Sequence, residues 1–355
     1  MTDTSVETLA GIANQLRIHC IAETTAAGSG HPTSCCSAAD LVAALFFYQM
    51  RYDPKDPRYP NNDRFILSKG HAAPLLYAAW AEAGFVPLEE LAKLRTLNSD
   101  LEGHPTPRLP FVDVASGSLG QGMSVGAGMA LSARMDNLDF RTYVLLGDGE
   151  CAEGSIWEAA SLAGLYQLNN LVALVDVNRL GQSQATAFGY DLDVYRRRFE
   201  AFNWRTEVID GHDLEEIVEV LAAAGLGSQP LVIIAKTKKG AGISFLEDKD
   251  GWHGKALSKD EAEKAYAELR PKAVSGQAAT IPQPNRPPIP ERPAPASYPA
   301  PNYKIGDKVA TREAYGNALV RMGAVDTRLV AVDGDTKNST FAERSEEHTS
   351  ELQSR

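Results

Sequence analysis

Apolar and polar positions divide most of the chain into short runs and longer periodic stretches. Runs at 65–67 (FIL), 143–146 (YVLL), 171–177 (LVALVDV), 206–209 (TEVI) and 231–235 (LVIIA) are bounded by polar residues and glycine, and read as strands. Helical periodicity occupies the stretches near 7–25, 36–50, 72–83, 118–135, 153–166 and 213–224. Strands that are apolar on both faces and alternate with helices predict an α/β fold, a parallel sheet sandwiched between helix layers. In such sheets ligands sit at the carboxyl ends of the strands. Asp148 and Asn178 fall just past two of the runs.

The pattern breaks near Ile281. Nine of the twenty prolines lie in PQPNRPPIPERPAPASYPAPN, which can supply few backbone donors and reads as an extended, semi-rigid linker. Beyond it, TREAYGNALVRMG reads as a helix and RLVAVDGD as a strand, the start of a second α/β unit. The expected division is a first domain over 1–275, a linker over 276–303, the start of a further domain over 304–343, and a tail over 344–355. The tail RSEEHTSELQSR breaks with the preceding pattern and resembles translated sequencing-adapter sequence; the expectation is that the native sequence stops near Glu343 and that the protein is truncated there. A native polar tail is the alternative.

Composition narrows the function. Of 355 residues 44% are hydrophobic and 23% charged, the balance of an ordinary soluble protein with one large core and part of another. No apolar run approaches the roughly 18 residues of a membrane span, and the N-terminus MTDTSVET lacks the features of a signal peptide, so neither a membrane nor secretion is expected and the cytoplasm is the default. Cys20, Cys35, Cys36 and Cys151 have no metal-ligand spacing. A formal charge of −11 argues against nucleic acid as the main partner.

Candidate chemistry lies in the turns. Five of the seven histidines adjoin a glycine: His31, His71, His104, His212 and His253. A histidine on a turn can face a ligand, and strand-end turns of one sheet converge on one edge. Asp148 and Asn178 stand 30 residues apart, about one strand–helix–strand unit, so their oxygens would meet at adjacent strand ends. Magnesium takes about six oxygens, few of them from protein, and completes its shell with phosphate and water. The spacing leaves a second reading open, in which Asp148 caps the following helix and Asn178 takes a turn.

GDGECAEGSIWEAASLAGLYQLNNLVALVDVN resembles the thiamine diphosphate motif, and with TTAAGSGHPTSCCSAAD, NNDRFILSKGHAAP, ASGSLGQG, VNRLGQS, EDKDGWHGK and VDGDTKNSTFAE the chain resembles the transketolase family, animal-like type, from about residue 7 to 343. The resemblance implies thiamine diphosphate- and magnesium-dependent transfer of a two-carbon ketol group from a ketose phosphate to an aldose phosphate, in the pentose phosphate pathway, by a homodimer. It gives Asp148 and Asn178 to magnesium by side chain and Leu180 by carbonyl. It gives Ser34, His71, Gly117, Ser118, Leu119, Gly149, Asn178, Lys239 and His253 to the cofactor, and places His31, His104 and His253 around the substrate as proton carriers. Arg312 and Ser339 would grip the sugar phosphate, His31 and His253 would also contact the substrate, and Glu153 and Glu158 resemble interface carboxylates. His212 receives no role. The family's activating glutamate has no counterpart in this chain, so the chain alone is expected to be inactive. The alternatives are a natural N-terminal subunit of a split enzyme, which the linker disfavours, and a magnesium-diphosphate binder without catalysis, which the histidines disfavour.

Overall fold

The computed structural model describes residues 4–289, 291 and 293–345 and the backbone of 350–353; the rest of the expected tail, 346–349 and 354–355, lies outside the described residues. Two compact units divide at Pro287 and Pro288.

In the first unit the chain runs α1 (Val6–Ala27), α2 (Pro32–Ala44), β1 (Arg64–Leu67), α3 (Ala73–Glu82), α4 (Gln121–Met135), β2 (Thr142–Gly147), α5 (Gly154–Leu165), β3 (Leu171–Val177), α6 (Leu192–Ala201), β4 (Arg205–Asp210), α7 (Leu214–Ala222), β5 (Leu231–Lys236) and α8 (Lys259–Leu269). The five strands form one sheet in the order β1-β2-β3-β5-β4, every neighbour parallel. All five carboxyl ends therefore share one edge. Alternate strand residues face opposite sides: Phe65, Tyr143, Leu145, Val172, Leu174, Leu231 and Ile233 pack with α1, α2, α3 and α7, whereas Ile66, Val144, Ala173, Val175, Val232 and Ile234 pack with α4, α5 and α6. That two-sided burial explains why these strands read as continuous apolar runs. A third cluster joins Ile21 and Cys36 to Ile243, Leu246 and α8.

Three expected boundaries move. The helix read over 36–50 begins at Pro32, whose ring suits a first turn, and its last five residues, Leu45–Gln49, widen into a π turn. The helix read from 118 begins at Gln121, because Gly120 stands at φ 86° and 118–119 remain in the loop. The first unit also extends past 275: Tyr52 N–H donates to Pro282 O at 3.0 Å, Asn61 Nδ2 to Asn285 O at 2.9 Å, and Gly276 N–H to Glu82 Oε2 at 2.8 Å, so the first prolines of the expected linker are held on the globule. Helices α6 and α8 were absent from the sequence reading. The charged face of α6, with Arg196 paired to Asp193 and Glu200, masks the two buried anchors, Tyr195 and Phe199.

The second unit contains α9 (Thr311–Gly323), β6 (Val330–Asp333), α10 (Lys337–Thr340) and β7 (Ser350–Gln353), with β6 and β7 parallel. Among the described residues no helix is long and apolar enough to cross a membrane.

Candidate functional site: the carboxyl edge of the parallel sheet

Four of the five strands of the first unit deliver chemistry at the same edge. Past β1 come Ser68, Lys69 and His71; past β2, Asp148 and Glu150; past β3, Asn178 and Leu180; past β5, Thr237 and Lys239. β2 and β3 are neighbours in register, Gly147 opposite Asp176, so Asp148 and Asn178 leave adjacent strands at nearly one level. Asp148 Oδ1 accepts from Gly149 N–H at 2.9 Å, and its Oδ2 accepts from Arg179 N–H at 2.8 Å and Thr186 Oγ1 at 3.0 Å. These bonds stitch the turn after β2 to the loop after β3. Burial, reinforced by Asp176, raises the Asp148 pKa. Asn178 Oδ1 accepts a long bond from Leu180 N–H at 3.3 Å, and its amide group donates to Asp176 and Ser37.

Two carboxylates that the sequence reading passed over organise this edge. Asp176, wholly buried inside β3, accepts from Lys69 Nζ, Thr237 Oγ1 and Ser37 Oγ, the last at 2.6 Å. Burial pushes its pKa up, but Lys69 and the two hydroxyls outweigh that and hold the carboxyl below its usual range. Lys69 also donates to Ser34 O at 3.1 Å, tying α2 to the site. Glu150 accepts from Ser68 Oγ, from Gly120 N–H at 2.8 Å and from Gly147 N–H at 3.0 Å, which sets the 117–120 turn against the turn after β2. The available signals were an acid within the otherwise apolar LVALVDV and an acid immediately after Gly-Asp-Gly.

The expected histidines separate into a cluster and an outlier. Ring centroids of His31 and His71, and of His31 and His253, are 5.0 Å apart, and those of His71 and His253 are 5.4 Å apart. Burial, with Arg95, His104 and Lys239 adding like charge, lowers His31 to about 4; burial and Lys239 lower His253 to about 4; His71 is depressed further, by burial first and then Lys69. The three are neutral imidazoles near pH 7, able to donate or accept. His104 lies against Gly117, where an added Cβ would meet its Cδ2 at 2.9 Å; Gly117 itself is at φ 135°. His212 stands apart, bonded to Asp40.

Lys239 uses all three of its ammonium hydrogens within the chain, on Leu180 O at 2.6 Å, Gly181 O at 3.3 Å and His253 Nδ1 at 2.7 Å; burial lowers its pKa to about 8. A positive group thus rests on the carbonyl that the resemblance gives to the metal. Ser118 and Leu119 are exposed on their turn, and Glu153 and Glu158 are exposed around α5. Arg312 and Ser339 belong to the second unit, where the Arg312 guanidinium lies 5.8 Å from the Phe341 ring and Ser339 N–H donates to Thr336 O at 2.8 Å.

The residues fit a diphosphate held through a hard cation. Asp148, Asn178 and Leu180 offer oxygen donors at adjacent strand ends, and magnesium needs only a few from protein. The buried atoms Ser34 Oγ, Ser116 Oγ and His31 Nδ1 have no hydrogen-bond partner among the described residues, as expected where a polar ligand completes the site. A Cβ at Gly149 would meet only Thr186 Cγ2, at 3.5 Å, so nothing in the chain's own packing demands a glycine there.

A family model described as transketolase, thiamine diphosphate binding domain, matches residues 9–274. The chain belongs to the transketolase family. Rat transketolase is 53% identical over 345 residues, covering 95% of this chain and 54% of that protein, and human transketolase is 52% identical over 342 residues, covering 95% and 54%. The chain therefore spans about half the length of these curated relatives. Among solved structures, transketolase from Campylobacter jejuni superposes with a TM-score of 0.83 at 27% identity, covering 98% of this chain and 61% of that one. A Pichia stipitis transketolase complexed with sedoheptulose-7-phosphate gives 0.78 at 26% identity, covering 95% and 56%. Transketolase architecture is thus shared by the first unit and its sheet.

Proposed function

We propose that this chain supplies the cofactor-binding half of a transketolase, a cytoplasmic, homodimeric enzyme of the pentose phosphate pathway that moves a two-carbon ketol group from a ketose phosphate to an aldose phosphate. The observation that carries the reading is the meeting of Asp148, Asn178 and Leu180 oxygens with His31, His71 and His253 at one sheet edge, within the residues matched to the thiamine diphosphate binding domain.

When bound, thiamine diphosphate supplies a carbon nucleophile and an electron sink. Asp148, Asn178 and Leu180 would hold magnesium against its diphosphate, and His71, Ser34, Lys239 and the Gly117–Leu119 turn would orient it, with Gly149 leaving room for its approach. His31, His104 and His253 carry out the protein's part of the chemistry. As neutral imidazoles they can donate to substrate hydroxyls and to developing oxyanions and can accept protons from them. Arg312 and Ser339 would take the substrate phosphate, and Glu153 and Glu158 the dimer interface. Turnover is assigned to the whole enzyme, because the chain spans about half the length of its transketolase relatives.

Titration calorimetry of thiamine diphosphate into the chain, with and without magnesium, tests the reading. Binding is expected only with magnesium and is expected to be lost in Asp148→Ala, because a small octahedral cation gives up a charged ligand that water replaces poorly. Unchanged affinity in the variant would refute the metal assignment.

A further inference from the structure

His212 is the glycine-flanked histidine that the cleft leaves out, yet both its ring nitrogens are engaged. Gly211 N–H donates to Lys236 O at 2.8 Å and His212 N–H to Asp210 Oδ1 at 2.9 Å, which sets the turn between β4 and α7. From this turn the ring reaches the loop after β5, where Nε2 accepts the Lys238 N–H at 2.9 Å. A ring nitrogen that accepts from an amide is unprotonated, so Nδ1 carries the hydrogen and donates to Asp40 Oδ2 at 2.7 Å. Asp40 is gripped by the buried guanidinium of Arg17, whose Nε also donates to Cys36 O at 3.2 Å. A continuous chain of polar contacts thus runs from α1 through α2 and His212 to the backbone of Lys238.

The place of that last contact explains its use. β4 ends at Asp210, opposite Lys236, so no strand continues beside β5 on that side. Thr237 N–H turns the other way, to Val177 O of β3 at 3.0 Å. Lys238 N–H faces the side that β4 has left, and the imidazole supplies the missing acceptor. One residue later Lys239 points into the cleft, its backbone secured by Asp248 N–H on its carbonyl at 2.8 Å and its neighbour Gly240 N–H on Thr33 O at 2.9 Å. With Nε2 spent on a backbone amide, His212 is not a base facing the cleft.

We propose that His212 is a positioning residue for Lys239: by accepting the Lys238 amide hydrogen while Asp40 fixes its tautomer, it sets the direction in which the chain leaves β5 and so the reach of Lys239 to Leu180 and His253. The value of that placement to the cofactor rests on the function proposed above, but the clasp and its test do not. Outer partners that orient site residues change affinity by about 10- to 100-fold when lost, so thiamine diphosphate binding to the chain is expected to weaken roughly tenfold in His212→Phe.

The deciding readout needs no cofactor. Lys239 Nζ donates to His253 Nδ1, so His253 carries its hydrogen on Nε2. In the 15N-labelled chain, long-range imidazole correlations at neutral pH should show His253 as the Nε2–H tautomer and His212 as the Nδ1–H tautomer. His212→Phe keeps a flat ring without either bond, and should convert His253 to a tautomer mixture matching that of Lys239→Ala. His212→Gln offers an amide oxygen and amide hydrogens, and should restore the wild-type His253 pattern. An unchanged His253 pattern in His212→Phe would overturn the proposal. Should that variant fail to fold, the wild-type chain still decides: a through-hydrogen-bond coupling between Lys238 N and His212 Nε2 is expected, and its absence would refute the clasp. Altered His253 tautomers without any cofactor binding would uphold the positioning role and count against the proposed function alone.

Discussion

At the scale of the residue, the buried pair Lys69–Asp176 matters most, because its exposed fractions, 2% and 0% for the two side chains, leave neither charge any water to fall back on. Removing one partner of such a pair strands the other, at a cost of about 3–5 kcal/mol. Lys69→Met should therefore lower the stability of the chain to urea by that order, and Lys69→Met combined with Asp176→Leu should cost clearly less than the sum of the single changes. Because Lys69 holds the Asp176 carboxyl below its unfolded pKa, its contribution is present above the ordinary aspartate pKa, near 3.9, and is lost as pH falls through the lower folded value. Additive single and double variants would show that the pair is not coupled.

At the scale of the element, α5 packs closely against the turn between α6 and β4. A Cβ at Gly164 would lie 1.8 Å from Phe202 O, a backbone atom in the turn between α6 and β4 that cannot rotate aside. Gly164→Ala normally favours a helix through the unfolded state. Here overpacking against backbone outweighs that gain, and a net loss of about 1–3 kcal/mol or more is expected. Thermal melting of the variant measures it; an equal or higher midpoint would show that α5 can move away from that turn at little cost. At the same interface Trp204 Nε1 donates to Ala160 O at 2.8 Å, a bond that such movement would break.

At the scale of the whole molecule, the cleft histidines link function to global stability. His31 and His253 both sit near 4 in the folded chain and near 6.5 when unfolded, so the unfolded chain binds more protons between those values. Their depressed pKa values impose no penalty above about 6.5, and stability falls as pH drops from there towards 4, by up to about 1.4 kcal/mol per pH unit for each group, less where water reaches the rings. Melting midpoints measured from pH 7.5 to 4 should decline in that window, and His31→Asn should flatten the slope. A second expectation concerns turnover. Assayed for transfer from xylulose 5-phosphate to ribose 5-phosphate, this chain by itself is expected to show no ketol transfer, since it spans about half the length of its transketolase relatives. Turnover comparable to that of a full-length animal transketolase would overturn the division of labour proposed for the chain.

What the sequence settled by itself was whatever depends on neighbours along the chain. LVALVDV and LVIIA announce strands buried on both faces because both of their faces are apolar, and the 30-residue spacing of Asp148 and Asn178 measures one crossover of a parallel sheet. The helix at Thr311–Gly323 matches its periodic stretch residue for residue, whereas α6 was missed because charges dominate all but its two anchors. What only the tertiary structure decided was pairing across the chain: that Lys69 meets Asp176 across a sequence separation of 107, that Glu150 holds the turn at Gly120, and that His212 turns from the cleft to Asp40 and the Lys238 amide. Glycine beside a histidine specifies a turn but not the direction in which the ring points. That direction depends on which acceptors and donors lack a partner where a strand pair ends and the chain runs on, and this appears only once the strands are paired.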